Sequence, residues 1–314
     1  MASSADTSQF SALSTRAIAT GGQPESKPAG RSSNGRGMLL LALAPAFLVL
    51  AIFYFYPMLA VLVGAFTDPQ PGLQNFEWFF SQPVNVEVLW RTIAISFWVM
   101  VICVLVAYPF AYFMTSTSPS VRGLLMLAVL IPFLTSTVVR TFAWVLLLQD
   151  SGPIGDFFAL FGVEQLGILR TPTAVLIGMA QVLLPFVVLP MYSTMSQIDR
   201  RLLTAAESLG ATRTKAFLSV YLPLSLPGVA AGALLCFVLA LGFYITPAML
   251  GSSQETFLST LIQGQVQGLG QWGHGAVIAL TLLVVTLVIL GIAGLIGRRA
   301  GGDAVSSMVG GSKA

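Results

Sequence analysis

The chain has 314 residues, of which 56% are hydrophobic and only 9% are charged, whereas roughly a quarter of the residues in a soluble domain are charged. This composition excludes an ordinary soluble protein, and the net charge of +3 is too small and too dispersed for a nucleic-acid-binding surface. The two cysteines lie far apart in apolar runs, and the single histidine cannot supply the two imidazoles of an HExxH site. Disulfide frameworks and zinc enzymes of that kind are therefore excluded.

The two ends of the chain are predicted to be tails. Residues 1–37 are rich in Ser, Ala, Gly, Pro and Thr without sustained periodicity, which is typical of disorder. The apolar stretch that follows is too long and begins too far into the chain for a secretory signal. Residues 298–314 are likewise predicted to be unstructured, so the folded domain is expected to cover 38–297.

Six apolar stretches are long enough to cross a membrane. A bilayer core about 30 Å thick requires roughly 20 apolar residues in helical conformation. Prolines interrupt five of the stretches, and each proline removes a backbone donor, so kinked or broken helices are expected. We therefore predict an all-α membrane protein with six kinked transmembrane helices, at 38–66, 92–114, 123–149, 173–195, 227–250 and 275–297.

The positive charges orient these helices. With the N-terminus inside, twelve Lys and Arg residues fall on the cytoplasmic side and only Arg91 and Arg170 fall outside. Because Lys and Arg accumulate on the cytoplasmic side, both termini and the 196–226 loop are predicted to be cytoplasmic.

The 196–226 loop contains two short amphipathic segments separated by a glycine. Gly210 stands where a left-handed residue would end the first helix, and Thr212 is positioned to cap the second. Pro223 is expected to end that second helix. Such a pair is too polar to span a membrane and too short to form a domain, so it suits the docking of a soluble partner. An amphipathic helix lying on the lipid surface is the alternative.

The run AAESLGATRTKAFLSVYLPLSLPG in this loop resembles the EAA-loop signature of permease subunits of bacterial binding-protein-dependent ABC importers. Four further segments resemble the spermidine/putrescine branch of those permeases: VVRTFAW at 138–144, SGPIG at 151–155, TPTAVLIGMAQVLLPFVVLPMYSTM from 171, and ITPAMLG at 245–251. The resemblance implies the type I ABC importer permease fold. It also implies that the loop fits a cleft on an ATP-hydrolysing subunit.

One residue of the loop departs from the family pattern. Counting back six residues from Gly210 reaches Thr204, so Thr-Ala-Ala stands where the family has Glu-Ala-Ala. Glu207 lies one helical turn later. Two alternatives follow: Glu207 forms the salt bridge to the ATPase in place of the missing glutamate, or this permease lacks that salt bridge. The residues expected in ATPase coupling are Thr204, Ala205, Ala206, Glu207, Gly210 and Pro223.

The translocation pathway is predicted from a few polar residues in or near the spans. Arg140 is the only ionisable residue well inside a span, where a charge is costly and is expected to face the bundle interior, water or a partner subunit. Alternatively it snorkels outward or pairs with Asp150. We expect the pathway to include Arg140, Trp144, Tyr244 and Thr246. The Gly- and Gln-rich run 263–275 is expected to be a flexible loop, a gate or a contact for the binding protein.

The chain has no GxxxxGK[ST] motif, so a P-loop in this chain is excluded and ATP with its Mg²⁺ is expected on partner ATPase subunits. No metal or other cofactor is expected in the chain itself, which is predicted to be a transport subunit rather than an enzyme. The resemblance implies three kinds of protein partner: a second permease, expected to be a different chain; two ATPase subunits; and an extracytoplasmic binding protein. It also implies a location in the bacterial inner membrane.

The substrate expected from the resemblance is a polyamine or a similar organic cation, although such permeases also resemble carriers of opines, phosphonates and metal ions. No Asp or Glu lies inside a span, so specificity is expected to reside in the binding protein. The alternatives are a secondary transporter or channel, and a membrane scaffold. The lack of intramembrane carboxylates and of an obvious internal repeat argues against a secondary transporter.

Overall fold

A computed structural model describes residues 43–162 and 166–310, with α-, 3₁₀- and π-helices as the only regular elements in those ranges. The predicted all-α class is therefore confirmed for this part of the chain. The N-terminal tail 1–37 lies outside it. In chain order the helices are α1 Leu43–Thr67, α2 Gln74–Ser81, α3 Pro83–Ser116, α4 Pro119–Leu130, α5 Thr137–Leu148, α6 Pro153–Ala159, α7 Pro172–Met195, α8 Arg201–Ser208, α9 Arg213–Leu241, α10 Ile245–Leu250, α11 Leu258–Gln263 and α12 Trp272–Gly310.

Five of the described helices are long and apolar enough to cross a membrane: α1, α3, α7, α9 and the Trp272–Leu295 part of α12. A sixth span results if Pro119–Leu134 and Thr137–Ala159, which meet at an angle of 99°, are counted together. The five or six spans agree with the predicted membrane protein.

The predicted third span at 123–149 is a broken helix, in keeping with the expected effect of its proline. Its helix changes at Ile131 to a 3₁₀ turn, Ile131–Leu134, that contains Pro132, and the following residue, Thr135, is extended. Proline cannot donate the next helical hydrogen bond, and α5 starts in a new direction at Thr137.

The predicted fifth span at 227–250 is displaced along the chain. Its helix begins at Arg213 and ends at Leu241, where Gly242 caps it. Residues 245–250 form the separate short helix α10. The predicted unstructured C-terminal tail is also wrong in part, because α12 continues to Gly310; no proline interrupts this segment.

The chain divides into the units Met1–Pro57 and Met58–Ala314. In the second unit, α3, α7 and α9 pack against one another around the main apolar core. Glycines allow the close approach: a Cβ on Gly232 would lie 3.0 Å from the Val187 carbonyl oxygen. Cys103 and Cys236 are both buried in this core, as expected for small apolar side chains.

Candidate functional site

The 196–226 loop folds as a helix, a glycine turn and a second helix, as predicted. Helix α8 ends in a Schellman motif, in which Gly210 N–H donates to Glu207 O (3.0 Å) and Ala211 N–H donates to Ala206 O (3.1 Å). Gly210 has a φ of +91°, a conformation that residues with a Cβ adopt at a cost. The motif fixes the direction in which the chain leaves α8.

The second helix of the loop begins at the predicted cap. The Thr212 hydroxyl accepts a hydrogen bond of 3.3 Å from Lys215 N–H, satisfying a donor of the first turn. The prediction that Pro223 ends this helix is wrong, because the helix runs on to Leu241. The chain forms a π turn over Phe217–Tyr221 just before the proline, and Leu222 N–H donates across this wider turn to Phe217 O. The loop is thereby continuous with a membrane-spanning helix.

The residues expected in ATPase coupling cluster on the open side of this motif. Thr204, Ala205 and Glu207 are exposed and Ala206 is half-buried. The Glu207 carboxylate takes part in none of the hydrogen bonds or ion pairs formed among the described side chains. Leu209, beside the glycine, is 90% exposed. Leu209 is therefore accessible to another protein at this turn.

Arg140 lies in the first turn of α5, next to the break that ends α4. Its Nη2 donates to the carbonyl oxygen of Thr135 at 3.0 Å, and its buried Nε has no partner within the described residues. The alternative pairing with Asp150 is wrong: the Asp150 carboxylate instead accepts the backbone N–H groups of Leu166 and Gly167, each at 3.0 Å. The Arg140 guanidinium therefore binds a carbonyl that the break leaves available.

One of the predicted pathway residues, Thr246, lies at the contact between α5 and α10. The hydroxyls of Thr141 and Thr246 are 3.1 Å apart and both side chains are buried. Trp144 is half-buried on the same helix as Thr141 and packs against the main core. Thr246 is thus enclosed between helices in this conformation.

Tyr244 lies apart from that contact and lines a cavity of about 430 Å³. Ser259, Gln263, Gln267 and Trp272 contribute to the same wall. The expectation of a flexible loop at 263–275 is wrong for its first half, because α11 continues into the π turn Gly264–Gly268. Helical spacing places Gln263 and Gln267 side by side, joined by a hydrogen bond of 3.2 Å.

Comparison with known proteins identifies the class to which this architecture belongs. Residues 107–301 match the family described as "Binding-protein-dependent transport system inner membrane component". The chain belongs to this family. The match contains the 196–226 loop, so the family suggested by the loop sequence is confirmed.

Several permeases are similar to this family member over most of its length. The spermidine/putrescine transport system permease protein PotB of Escherichia coli (strain K12) is 30% identical over 246 residues, covering 75% of this chain and 89% of PotB. PotB of Haemophilus influenzae (strain ATCC 51907 / DSM 11121 / KW20 / Rd) is 30% identical over 264 residues, covering 81% and 87%. The inner membrane ABC transporter permease protein YdcU of Escherichia coli (strain K12) is 30% identical over 282 residues, covering 82% and 88%.

A solved structure shows the same fold. A chain of the bacterial alginate ABC transporter, in complex with an alginate pentasaccharide-bound periplasmic protein, superimposes with a TM-score of 0.71 at 19% identity, covering 85% of this chain and 96% of that one. The family and its relatives establish the chain as the permease subunit of a binding-protein-dependent ABC importer in the inner membrane. A secondary transporter or channel is not favoured.

Proposed function

We propose that this permease carries a polyamine or a similar organic cation that an extracytoplasmic binding protein delivers. The PotB relatives, 30% identical over at least three quarters of this chain, support this substrate class. No Asp or Glu lies inside a predicted span, so we assign the selection of the cation to the binding protein.

The observation that carries the proposal is the exposed, hydrogen-bonded turn at Gly210. The second helix of the loop is the first part of α9. An ATPase subunit that binds this turn therefore moves α9 when it moves. We propose that two ATPase subunits, which bind ATP and Mg²⁺, drive the importer through this loop. The coupling contacts are assigned to the exposed face of α8 around Ala205 and Glu207, with Gly210 setting the angle of the turn.

We further propose six spans with both termini in the cytoplasm, counting the pair that meets at 99° as one broken span. The twelve-to-two distribution of positive charges supports this orientation. The transmembrane domain then covers 38–297, between the cytoplasmic tails 1–37 and 298–314.

A second, different permease chain is proposed to complete the pathway. Several large apolar side chains of the described chain are exposed, among them Phe97, Trp98 and Leu105 on α3, so apolar surface is available for lipid and for a partner. The cavity beside Tyr244, with Arg140 and Trp144 on the neighbouring part of the bundle, is the proposed wall of the pathway. Thr246 joins it when α5 and α10 separate.

The test is uptake of radiolabelled spermidine into vesicles that contain this chain, its ATPase and its second permease, supplied with the partner binding protein. Uptake is expected to require ATP and the binding protein, and unlabelled putrescine is expected to compete. Uptake driven by an ion gradient without ATP would contradict the coupling. ATP-dependent uptake of another solute, with none of spermidine or putrescine, would contradict the substrate class.

A further inference from the structure

The start of α8 is attached to the end of α3. The Arg200 guanidinium donates hydrogen bonds from Nη2 to Thr115 Oγ1 (3.1 Å) and Ser116 Oγ (2.6 Å). Residues 200 and 115 are 85 positions apart in the chain. The last turn of a helix carries partial negative charge, which favours a cation at this place. This contact joins the first part of the 196–226 loop to the last turn of α3.

The end of the same loop reaches the same threonine. The hydroxyls of Tyr221 and Thr115 lie 3.5 Å apart, and Tyr221 is only 1% exposed. Thr115 Oγ1 donates its one proton to the Tyr112 carbonyl at 2.7 Å, so it accepts from Tyr221 and from Arg200 with its two lone pairs. One hydroxyl therefore joins both ends of the loop to α3.

Aromatic packing reinforces this junction. Phe217 and Tyr221 stack with ring centroids 5.5 Å apart, and Tyr112 meets both rings edge-on at 5.4 and 5.1 Å. One turn back on α3, the Tyr108 hydroxyl lies 3.0 Å from that of Ser225. Edge-to-face aromatic pairs stabilise a contact beyond what the buried area alone contributes. We therefore expect α3 and the π turn of α9 to move together here.

The opposite half of α3 is attached to a different part of the fold. Thr92 is completely buried, donates to Val88 O at 2.8 Å and accepts the backbone N–H of Leu258 at 3.1 Å. Leu258 begins α11, the helix whose continuation lines the cavity beside Tyr244. At 1.5 Å per residue, Thr92 and Thr115 are about 35 Å apart along α3.

We propose that Arg200, Thr115 and Tyr221 form a clamp between the 196–226 loop and α3. Through this clamp, movement of the loop is transmitted along α3 to α11, which begins at Leu258 and lines the cavity beside Tyr244. The clamp residues are positioning residues, since they touch neither ATP nor substrate. The proposal rests on the ATPase docking proposed for the loop. The docking proposal does not say how movement of the loop reaches the cavity. The clamp adds a path through α3 to the path through α9.

The test follows the far end of α3 while the ATPase is trapped. A cysteine is introduced at Gln263, on the cavity wall, in the assembled importer. The two native cysteines are buried, so a membrane-impermeant maleimide reports on the new thiol. ATP with vanadate is expected to change the labelling rate. Thr115→Val is expected to reduce this response on the order of fivefold to tenfold, because two accepted hydrogen bonds are lost, while ATP hydrolysis continues.

Thr281→Val is the matched control, because Thr281 also donates within its own helix, to Val277 O at 2.8 Å, but receives no hydrogen bond from the loop. It should respond as the unmodified importer does. Tyr221→Phe keeps the ring packing and removes only the phenolic hydroxyl, so it should weaken the response even if Thr115→Val fails to assemble. A full response in Tyr221→Phe and in any assembled Thr115→Val would overturn the clamp.

Gly210→Val, tested in parallel, separates the clamp from the docking proposal. A response lost in Gly210→Val but retained in the clamp variants would refute the clamp alone. A response that persists in Gly210→Val, or that ATP with vanadate fails to produce in the unmodified importer, would contradict the docking proposed for the loop and the clamp with it.

Discussion

Replacing Gly210 by valine tests whether the angle of the glycine turn matters for coupling. A Cβ at Gly210 would meet no atom within 4 Å, so the substitution causes no clash and its cost lies in the backbone alone. At a φ of +91° that cost is about 1–2 kcal/mol for a residue with a Cβ. The turn either holds this strain or opens and loses its two Schellman hydrogen bonds, each worth about 0.5–1.5 kcal/mol.

A free turn that opens must be closed again for docking, so the relieved strain is returned on binding and docking is weakened, while the transmembrane bundle is unaffected. At 1.4 kcal/mol per factor of ten, the affinity for the ATPase subunit is expected to fall by roughly fivefold to thirtyfold. The assay is co-purification of the ATPase from detergent-solubilised membranes, together with ATP-driven uptake and the abundance of the permease. Abundance should be unchanged, while both co-purification and uptake should fall.

Gly123→Val provides the matched control. A Cβ at Gly123 also meets no atom within 4 Å, but this residue lies inside helix α4 and has an ordinary backbone conformation. Gly210→Asn should be milder than Gly210→Val, because asparagine tolerates positive φ better than a β-branched residue. The reasoning fails if Gly210→Val binds its ATPase and transports as well as Gly123→Val does.

Three further predictions concern orientation, charge and packing. A reporter active only outside the cytoplasm should be active when fused after Gly162 and silent after Ser118, and the reverse pattern would invert the topology. Glu207→Gln should reduce ATPase co-purification severalfold if this carboxylate replaces the glutamate missing from the loop, whereas wild-type recovery would show that the contact is absent. Gly178→Val should lower the thermal unfolding temperature in detergent, because a Cβ at this position would lie 2.3 Å from Leu250 Cδ1 and overpacking costs about 1–3 kcal/mol. An unchanged unfolding temperature would contradict the tight contact between α7 and α10.

The features that could be predicted from sequence are local ones. A membrane-spanning helix needs only an apolar stretch of sufficient length, and five such helices occur where the stretches are, though with shifted ends. The Schellman motif depends on a glycine at one position after a short helix, so Gly210 was sufficient to predict it. The cap at Thr212 follows from the same kind of local chemistry.

Features that depend on neighbouring turns were predicted less well. Pro223 was expected to stop a helix, but a π turn just before it lets the helix continue. Pro132, by contrast, lies where the third span does break. Both prolines lack the same donor, so the residue type alone does not distinguish a tolerated proline from one at a bend. Whether the helix continues or bends at a proline depends on the turns and packing around it.

Contacts between distant parts of the chain left no signal in the sequence. Thr115 and Ser116 are ordinary polar residues at a helix end, and nothing in their spacing indicates that Arg200 binds them. Asp150 stands near Arg140 in sequence, yet it binds the backbone near Gly167 because the chain folds back there. Such pairs are fixed by tertiary packing, which local periodicity does not encode.

The central claim, that the 196–226 loop is the contact through which a partner ATPase drives this permease, is tested most directly by photo-cross-linking from Leu209. A photoreactive residue at this position, which is 90% exposed, should cross-link to the ATPase subunit in membranes. The same residue at Leu160, which is 82% exposed and lies on the proposed outer side, should not. A missing cross-link from Leu209, or one of equal yield from Leu160, would contradict the claim.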